Sequence, residues 1–142
     1  MTPWRADDLL ARARSRIDRV EPEELEGEYR LGALVVDIRP EHQRRADGDV
    51  PFAVVVERNV LEWRFDLLGD HALPQIRGYE QRVIVVCDEG YASSLAAASL
   101  RDLGYSEAAD LAGGYQSWRS VRAVRADEDA EPAPVRGGTV GG

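Results

Sequence analysis

A single cysteine, Cys87, among 142 residues excludes an intrachain disulfide and leaves one thiol to account for. Histidine is nearly as scarce. Neither His42 nor His71 has cysteine or carboxylate partners at metal-ligand spacing, so no structural zinc site is expected and no cofactor is implied. Positive charge is in deficit, with 18 basic against 26 acidic residues, a net charge of -8 and a pI near 4.8. Such a surface repels nucleic acid and anionic membranes, and neither is expected as a partner. No apolar run approaches the roughly 20 residues that span a bilayer. The start, Met1 to Asp8, lacks the basic segment and apolar stretch of a signal peptide. These absences point to a soluble protein in a reducing, cytoplasmic setting. What is present is 44% hydrophobic residues, enough for one core in a chain of this length.

From Ala6 to Val20, Leu9, Leu10, Ala13, Ile17 and Val20 recur every three or four residues between arginines, which predicts an amphipathic helix packed on its own domain. Pro22, followed by Glu23 and Glu24, suits the first turn of a short helix. Ala33–Ile38, an apolar run with a polar residue only near its end, and Val83–Val86 read as strands buried on both faces, the β-branched run Val54–Val56 as another strand, and Ala108–Leu111 as a last short one. Pro40 and Glu41 open a polar helical or turn segment. Leu61, Trp63, Phe65 and Leu67 predict a short helix with buried aromatics, and Trp4, Trp63 and Trp118 are read as core or boundary residues. Residues 69–78 read as a surface connection. Ser93 or Ser94 can cap a helix that Gly104 ends, and a last helix follows Gly113-Gly114 through Trp118. Strands alternating with helices describe an α/β domain with a mostly parallel sheet flanked by helices on both faces. The expected division is an amphipathic helix over 1–19, the α/β domain over 20–120, and an acidic, glycine-rich tail without structure over 121–142.

Ligands of such sheets sit beyond the carboxyl ends of the strands, and Cys87 lies at one of those ends. The order strand, cysteine, glycine-bearing loop, helix start has a chemical meaning. Free amides and the positive end of the helix favour an anion in front of them, and the thiolate is the nucleophilic form of cysteine. Gly90 lets the loop from Asp88 to Ser93 curl so that successive N–H groups converge on the sulfur. A small buried hydrophobe at a strand end is the alternative role for Cys87.

Four segments in order carry a family resemblance: V-V-D-I-R at 35–39, G-D-V-P-F-A at 48–53, C-D-E-G-Y-A-S at 87–93 and L-A-G-G-Y-Q-S-W at 111–118. Over roughly residues 20–120 the chain resembles the rhodanese-like family, whose G-H-I-P-G-A is matched with Asp49 and Phe52 as replacements. The resemblance implies a rhodanese-like fold with a five-stranded parallel sheet, and a Cys87 persulfide cradled by the amides of Asp88, Glu89, Gly90, Tyr91, Ala92 and Ser93. It also implies partners: a small-molecule or protein sulfane-sulfur donor and a thiol acceptor. Many members carry an arginine where this chain has Ala92, and Asp88 and Glu89 add negative charge beside the thiol. Arg39 and Arg58 follow strands whose ends share the rim with Cys87, so either offsets those acids or contacts substrate, while Asp37 and Arg39 equally form a structural pair.

Three other readings stand beside sulfur transfer. The cell-cycle tyrosine phosphatases of this fold family grip phosphate with an arginine at the position of Ser93, and serine offers no bidentate cation there. A binding or thiol-redox-sensing module would keep the fold without turnover, and Cys87 would then have no second cysteine to resolve a sulfenic acid. The terminal Gly141-Gly142 resembles the end of thiocarboxylated carriers, although it sits in a tail of linker composition.

Overall fold

The mostly aliphatic runs at 34–37 and 83–86 are buried on both faces in the middle of one parallel sheet, whereas the run at 54–55 lies at its edge with Val55 exposed. The computed structural model describes residues 2–129. Five strands, β1 (Asp18–Val20), β2 (Leu34–Asp37), β3 (Val54–Val55), β4 (Val83–Val86) and β5 (Ala108–Leu111), lie in the order β1-β5-β4-β2-β3. All four pairings are parallel. Side chains of the central strand alternate between two cores, as the strand repeat of two requires. Val83, Val85 and Cys87 face Leu61, Phe65, Ala96, Leu100 and Tyr105, whereas Ile84 and Val86 face Leu25, Tyr115 and Trp118.

The helices α1 (Ala6–Arg14), α2 (Leu25–Arg30), α3 (Glu41–Asp47), α4 (Leu61–Arg64), α5 (Ala92–Leu103) and α6 (Gly114–Asp129) complete the fold. α4 and α5 supply the first core, α2 and α6 the second, and α1 packs on α5. None of the described helices is long and apolar enough to cross a membrane. The chain leaves β2 toward β3 and leaves β4 toward β5, in opposite directions across the sheet. A crevice therefore opens between the carboxyl ends of β2 and β4, the place where open α/β sheets bind ligands.

The structure corrects several sequence expectations. The helix expected to run to Val20 stops at Arg14, and Asp18–Val20 becomes the edge strand β1. Ile17 and Val20 satisfy a helical spacing, but three residues are too few to display a strand alternation. Only the pairing with β5, 91 residues along for Arg19 and Asp110, decides the matter. Ser93 and Ser94 are not caps. Tyr91 occupies that position, and both serines lie inside the first turn, each donating its hydroxyl at 2.8 Å to Asp110 Oδ2. A buried carboxylate needs such donors, and that need overrides the serine preference for caps. Trp63 and Trp4 are exposed while Trp118 is buried. α6 continues to Asp129 instead of ending near Trp118, with Arg122 over the Trp118 ring and ion-paired to Glu26 at 2.6 Å. The expected unstructured tail is thus helical over 121–129, and the rest of it, with Gly141-Gly142, lies outside the described residues.

One buried polar group gives the fold a pH signature. Tyr105 has no exposed surface, and its hydroxyl donates to the Phe65 carbonyl at 2.6 Å. Burial, followed by Tyr79 and Asp66, pushes this hydroxyl up to about 12 from 10.0. The folded state then holds a proton that the unfolded chain releases, so stability is full below about pH 10 and falls as pH rises toward about 12. All 18 strongly basic residues are arginine, so no lysine titrates in that window. Urea midpoints measured from about pH 8 to about pH 11.5 are expected to decline, and Tyr105→Phe is expected to flatten the decline while losing about 1 kcal/mol at neutral pH.

Candidate active site

Cys87 is the first residue after β4, and the loop from Asp88 to Tyr91 leads directly into α5. Gly90 takes φ +89°, a conformation that other residues adopt only with strain. A Cβ there would also sit 2.8 Å from the Gly113 nitrogen. This turn directs the Gly90 N–H to Cys87 Sγ at 3.1 Å, and the Ser93 N–H reaches the same sulfur at 3.3 Å. Ser93 is in the first turn of α5, where amides have no intrahelical partner and are free to face an anion. Cys87 is buried, at 7% exposure, against the core of Leu61, Phe65 and Ala96, and it also lines a cleft of about 360 Å³.

The other side of the loop is held by the start of α6. The Tyr115 and Gln116 amides donate to the carbonyls of Cys87 and Asp88 at 2.8 and 3.1 Å. Gly114, at φ +64°, permits this approach, because a Cβ would stand 2.6 Å from the Asp88 carbonyl. The glycine pair of L-A-G-G-Y is thus a seam between two backbones.

Each candidate residue can now be located. Asp88, Glu89, Tyr91 and Ala92 line the cleft together with Cys87, Arg39 and Arg58. The Asp88 carboxylate accepts from Gln116 Nε2 at 2.9 Å, and the same amide nitrogen bonds Asp47. Glu89, Tyr91 and Ala92 are exposed on the rim. Arg39 is 1% exposed: its Nε and Nη2 hold the Asp37 carboxylate at 2.7–3.2 Å, and Nη2 also donates to the Gly48 carbonyl. Its guanidinium lies 3.8 Å from the Tyr115 ring centroid, and Nη1 has no hydrogen-bond partner. Of the two alternatives for Arg39, the geometry supplies the structural pair. Arg58 is partly exposed and held by both oxygens of Glu62 at 3.0 Å. Burial pushes the Glu62 carboxyl up, yet the Ser99 hydrogen bond and the Arg58 charge leave it below its ordinary value, so the pair stays ionised. Both cleft arginines are therefore already matched by carboxylates.

Sequence reasoning missed Gln116, Asp110, Arg14 and Arg19, which reach the loop from α6, β5, α1 and β1. Glutamine after a glycine pair and aspartate inside a strand carry no motif of their own. A larger groove, of about 670 Å³, lies between α2 and α6, but paired charges line it and it contains no nucleophile. Chemistry, not size, selects the cleft at Cys87.

The chain is similar to known proteins over most of its length. Residues 21–121 match the rhodanese-like domain family. The thiosulfate sulfurtransferase GlpE of Stutzerimonas stutzeri is 30% identical over 116 residues, covering 80% of this chain and 94% of that protein. An adenylyltransferase and sulfurtransferase of Oryza sativa is 34% identical over 89 residues, 60% of this chain, and the chain spans only 20% of its length. Among solved structures, a protein of unknown function from Rhodopseudomonas palustris, described as a possible tyrosine phosphatase, superposes with a TM-score of 0.77 at 25% identity. That match covers 86% of this chain and 94% of the other.

The buried Asp37–Arg39 pair supports the cleft wall and yields a stability test. Asp37→Ala leaves a buried guanidinium without its carboxylate and is expected to cost about 3–5 kcal/mol by urea denaturation. Asp37→Ala combined with Arg39→Met is expected to recover much of that loss, because the orphaned charge is then gone.

Proposed function

The chain belongs to the rhodanese-like family, with sulfurtransferase activity as the general chemistry, and from that premise we propose that it moves sulfur through a persulfide on Cys87. The observation that carries the reading is the pair of amides, from Gly90 and Ser93, on the sulfur of a cysteine that lines the cleft. Two N–H groups in fixed positions favour a negative sulfur and need no rearrangement when charge develops on it. In the first step the Cys87 thiolate attacks the sulfane sulfur of a donor. A bond forms from Sγ to that sulfur, the donor's bond to it breaks, and the remainder leaves with the bonding pair. In the second step an acceptor thiolate attacks the terminal sulfur. The Sγ–S bond breaks, its pair returns to Cys87, and the acceptor leaves as a persulfide. Dividing the transfer in two lets one nucleophile serve both partners.

The electrostatics favour a donor of low charge. Arg58 is bound by Glu62, Arg39 is turned to Asp37, and Asp88 and Glu89 add two carboxylates at the rim. A dianion approaching that rim meets repulsion that no unpaired cation of the cleft lining offsets among the described residues. A neutral polysulfane or a persulfidated thiol meets far less. Phosphoryl transfer is disfavoured for the same reason, because buried Ser93 stands where a phosphatase presents arginine and its hydroxyl is engaged by Asp110. A lone thiol beside an open cleft suits a reducing compartment, where it stays unoxidised between turnovers.

Incubation with neutral and anionic sulfane donors, followed by intact mass measurement, is expected to show one added sulfur in the native chain and none in Cys87→Ala. Failure of every donor to load would replace enzymatic transfer with a binding or thiol-sensing role. Glu62→Gln releases Arg58 and is expected to raise loading from thiosulfate about threefold, with loading from a neutral polysulfane unchanged.

A further inference from the structure

The family match begins at residue 21, yet two arginines that precede it reach the cysteine loop. The Gly90 carbonyl accepts Arg14 Nη2 at 2.7 Å and Arg19 Nη2 at 2.9 Å. Arg14 comes from α1 and Arg19 from β1, so both elements of the N-terminal segment converge on one oxygen. Neither guanidinium is free to drift. Arg19 grips both oxygens of fully buried Asp110, Nε to Oδ1 at 2.9 Å and Nη2 to Oδ2 at 3.1 Å. Arg14 Nε donates to Ser94 Oγ at 3.1 Å, and its guanidinium lies 5.6 Å from the Tyr91 ring centroid.

Glycine is needed at position 90, but glycine is also the residue with the most conformational freedom to lose. Its φ of +89° brings its amide onto the sulfur, and nothing intrinsic to glycine keeps it there. Two cations on its carbonyl supply that restraint. The Gly90–Tyr91 peptide is trans, so the Tyr91 N–H points opposite to the gripped carbonyl, away from Arg14 and Arg19, and Tyr91 borders the cleft. Charge-assisted bonds at one end of a peptide also strengthen the donor at its other end.

We propose that Arg14 and Arg19 are positioning residues for sulfur transfer, gripping the Gly90 carbonyl from behind the loop so that the loop amides stay trained on the Cys87 sulfur. The proposal rests on the persulfide reading for its consequence but not for its geometry. It assigns to the N-terminal helix and edge strand a share in the chemistry, although neither touches a substrate. It also accounts for the buried Asp110, which holds Arg19 in place and orients Ser93 and Ser94 beneath the same loop.

The test compares Arg14→Gln, Arg14→Lys and the double variant Arg19→Gln with Asp110→Asn, which removes both charges together and strands no buried carboxylate. Steady-state sulfur transfer and hydrogen exchange of the 88–93 amides are measured on each full-length chain beside the native one. The expected result is a kcat about tenfold lower with KM unchanged in Arg14→Gln, partial recovery in Arg14→Lys, and faster exchange confined to the loop. A folded Arg14→Gln with native kcat, or with only KM altered, overturns the proposal. Should the double variant fail to fold, Arg14→Gln decides alone, since its removal leaves no buried charge unpaired. If the native chain transfers no sulfur, the persulfide reading fails, and exchange then judges the brace: faster loop exchange in Arg14→Gln retains it, and unchanged exchange removes it.

Discussion

The contact of two main-chain amides with one sulfur makes demands on almost every element around it. An amide can point at Sγ from Gly90 only if the chain takes a left-handed turn there, and from Ser93 only if a helix begins within reach. Such a turn must be anchored, because a curled loop at a strand end has few apolar contacts of its own. It is held from one side by the first amides of α6, across a glycine seam too close for a side chain, and from the other by arginines of the N-terminal segment. The two cores above and below β4 fix the strand that carries the cysteine, and hence the point in space at which these supports converge.

Charge is arranged around the cleft in matched sets. Asp37 with Arg39 and Asp110 with Arg19 are buried or partly buried pairs, each joined by further hydrogen bonds although Arg39 Nη1 is left without a partner. Burying ions is expensive unless every lone pair finds a donor, and such pairs fix geometry more than they add stability. Both flank the loop, one beside β2 and one beside β5, so a net negative chain keeps its cations where they shape the site. Arg58 follows the same pattern at the rim, where Glu62 and Ser99 hold it in a small network. The cleft that results has apolar walls from Ile38 and Pro40, with an acidic margin.

How much of this was legible in advance depended on whether a feature is written along the chain or across it. β2, β4 and β5 announced themselves as apolar runs, and the loop after β4 by its cysteine, glycine and following helix. The exposed positions were harder to read. Trp63 looks like a core residue by type, yet it is exposed on α4 while Leu61 and Phe65 on either side are buried. Ser93 and Ser94 look like caps by type, and the buried carboxylate that claims their hydroxyls comes from a strand 16 or 17 residues further on.

The sequence by itself determined the α/β class, the central strands, the lone cysteine and its loop, and the family to which they belong. Each of these is a local pattern, fixed by which side chains are apolar, which residue can take a positive φ and which sulfur can become an anion. Tertiary structure alone decided that Asp18–Val20 is a strand, that both cleft arginines are engaged, and that Arg14 and Arg19 brace Gly90 from 76 and 71 residues away. Pairings at that separation leave no period in the chain. They arise when packed layers bring distant charges to a carbonyl or carboxylate that would otherwise be buried without a partner.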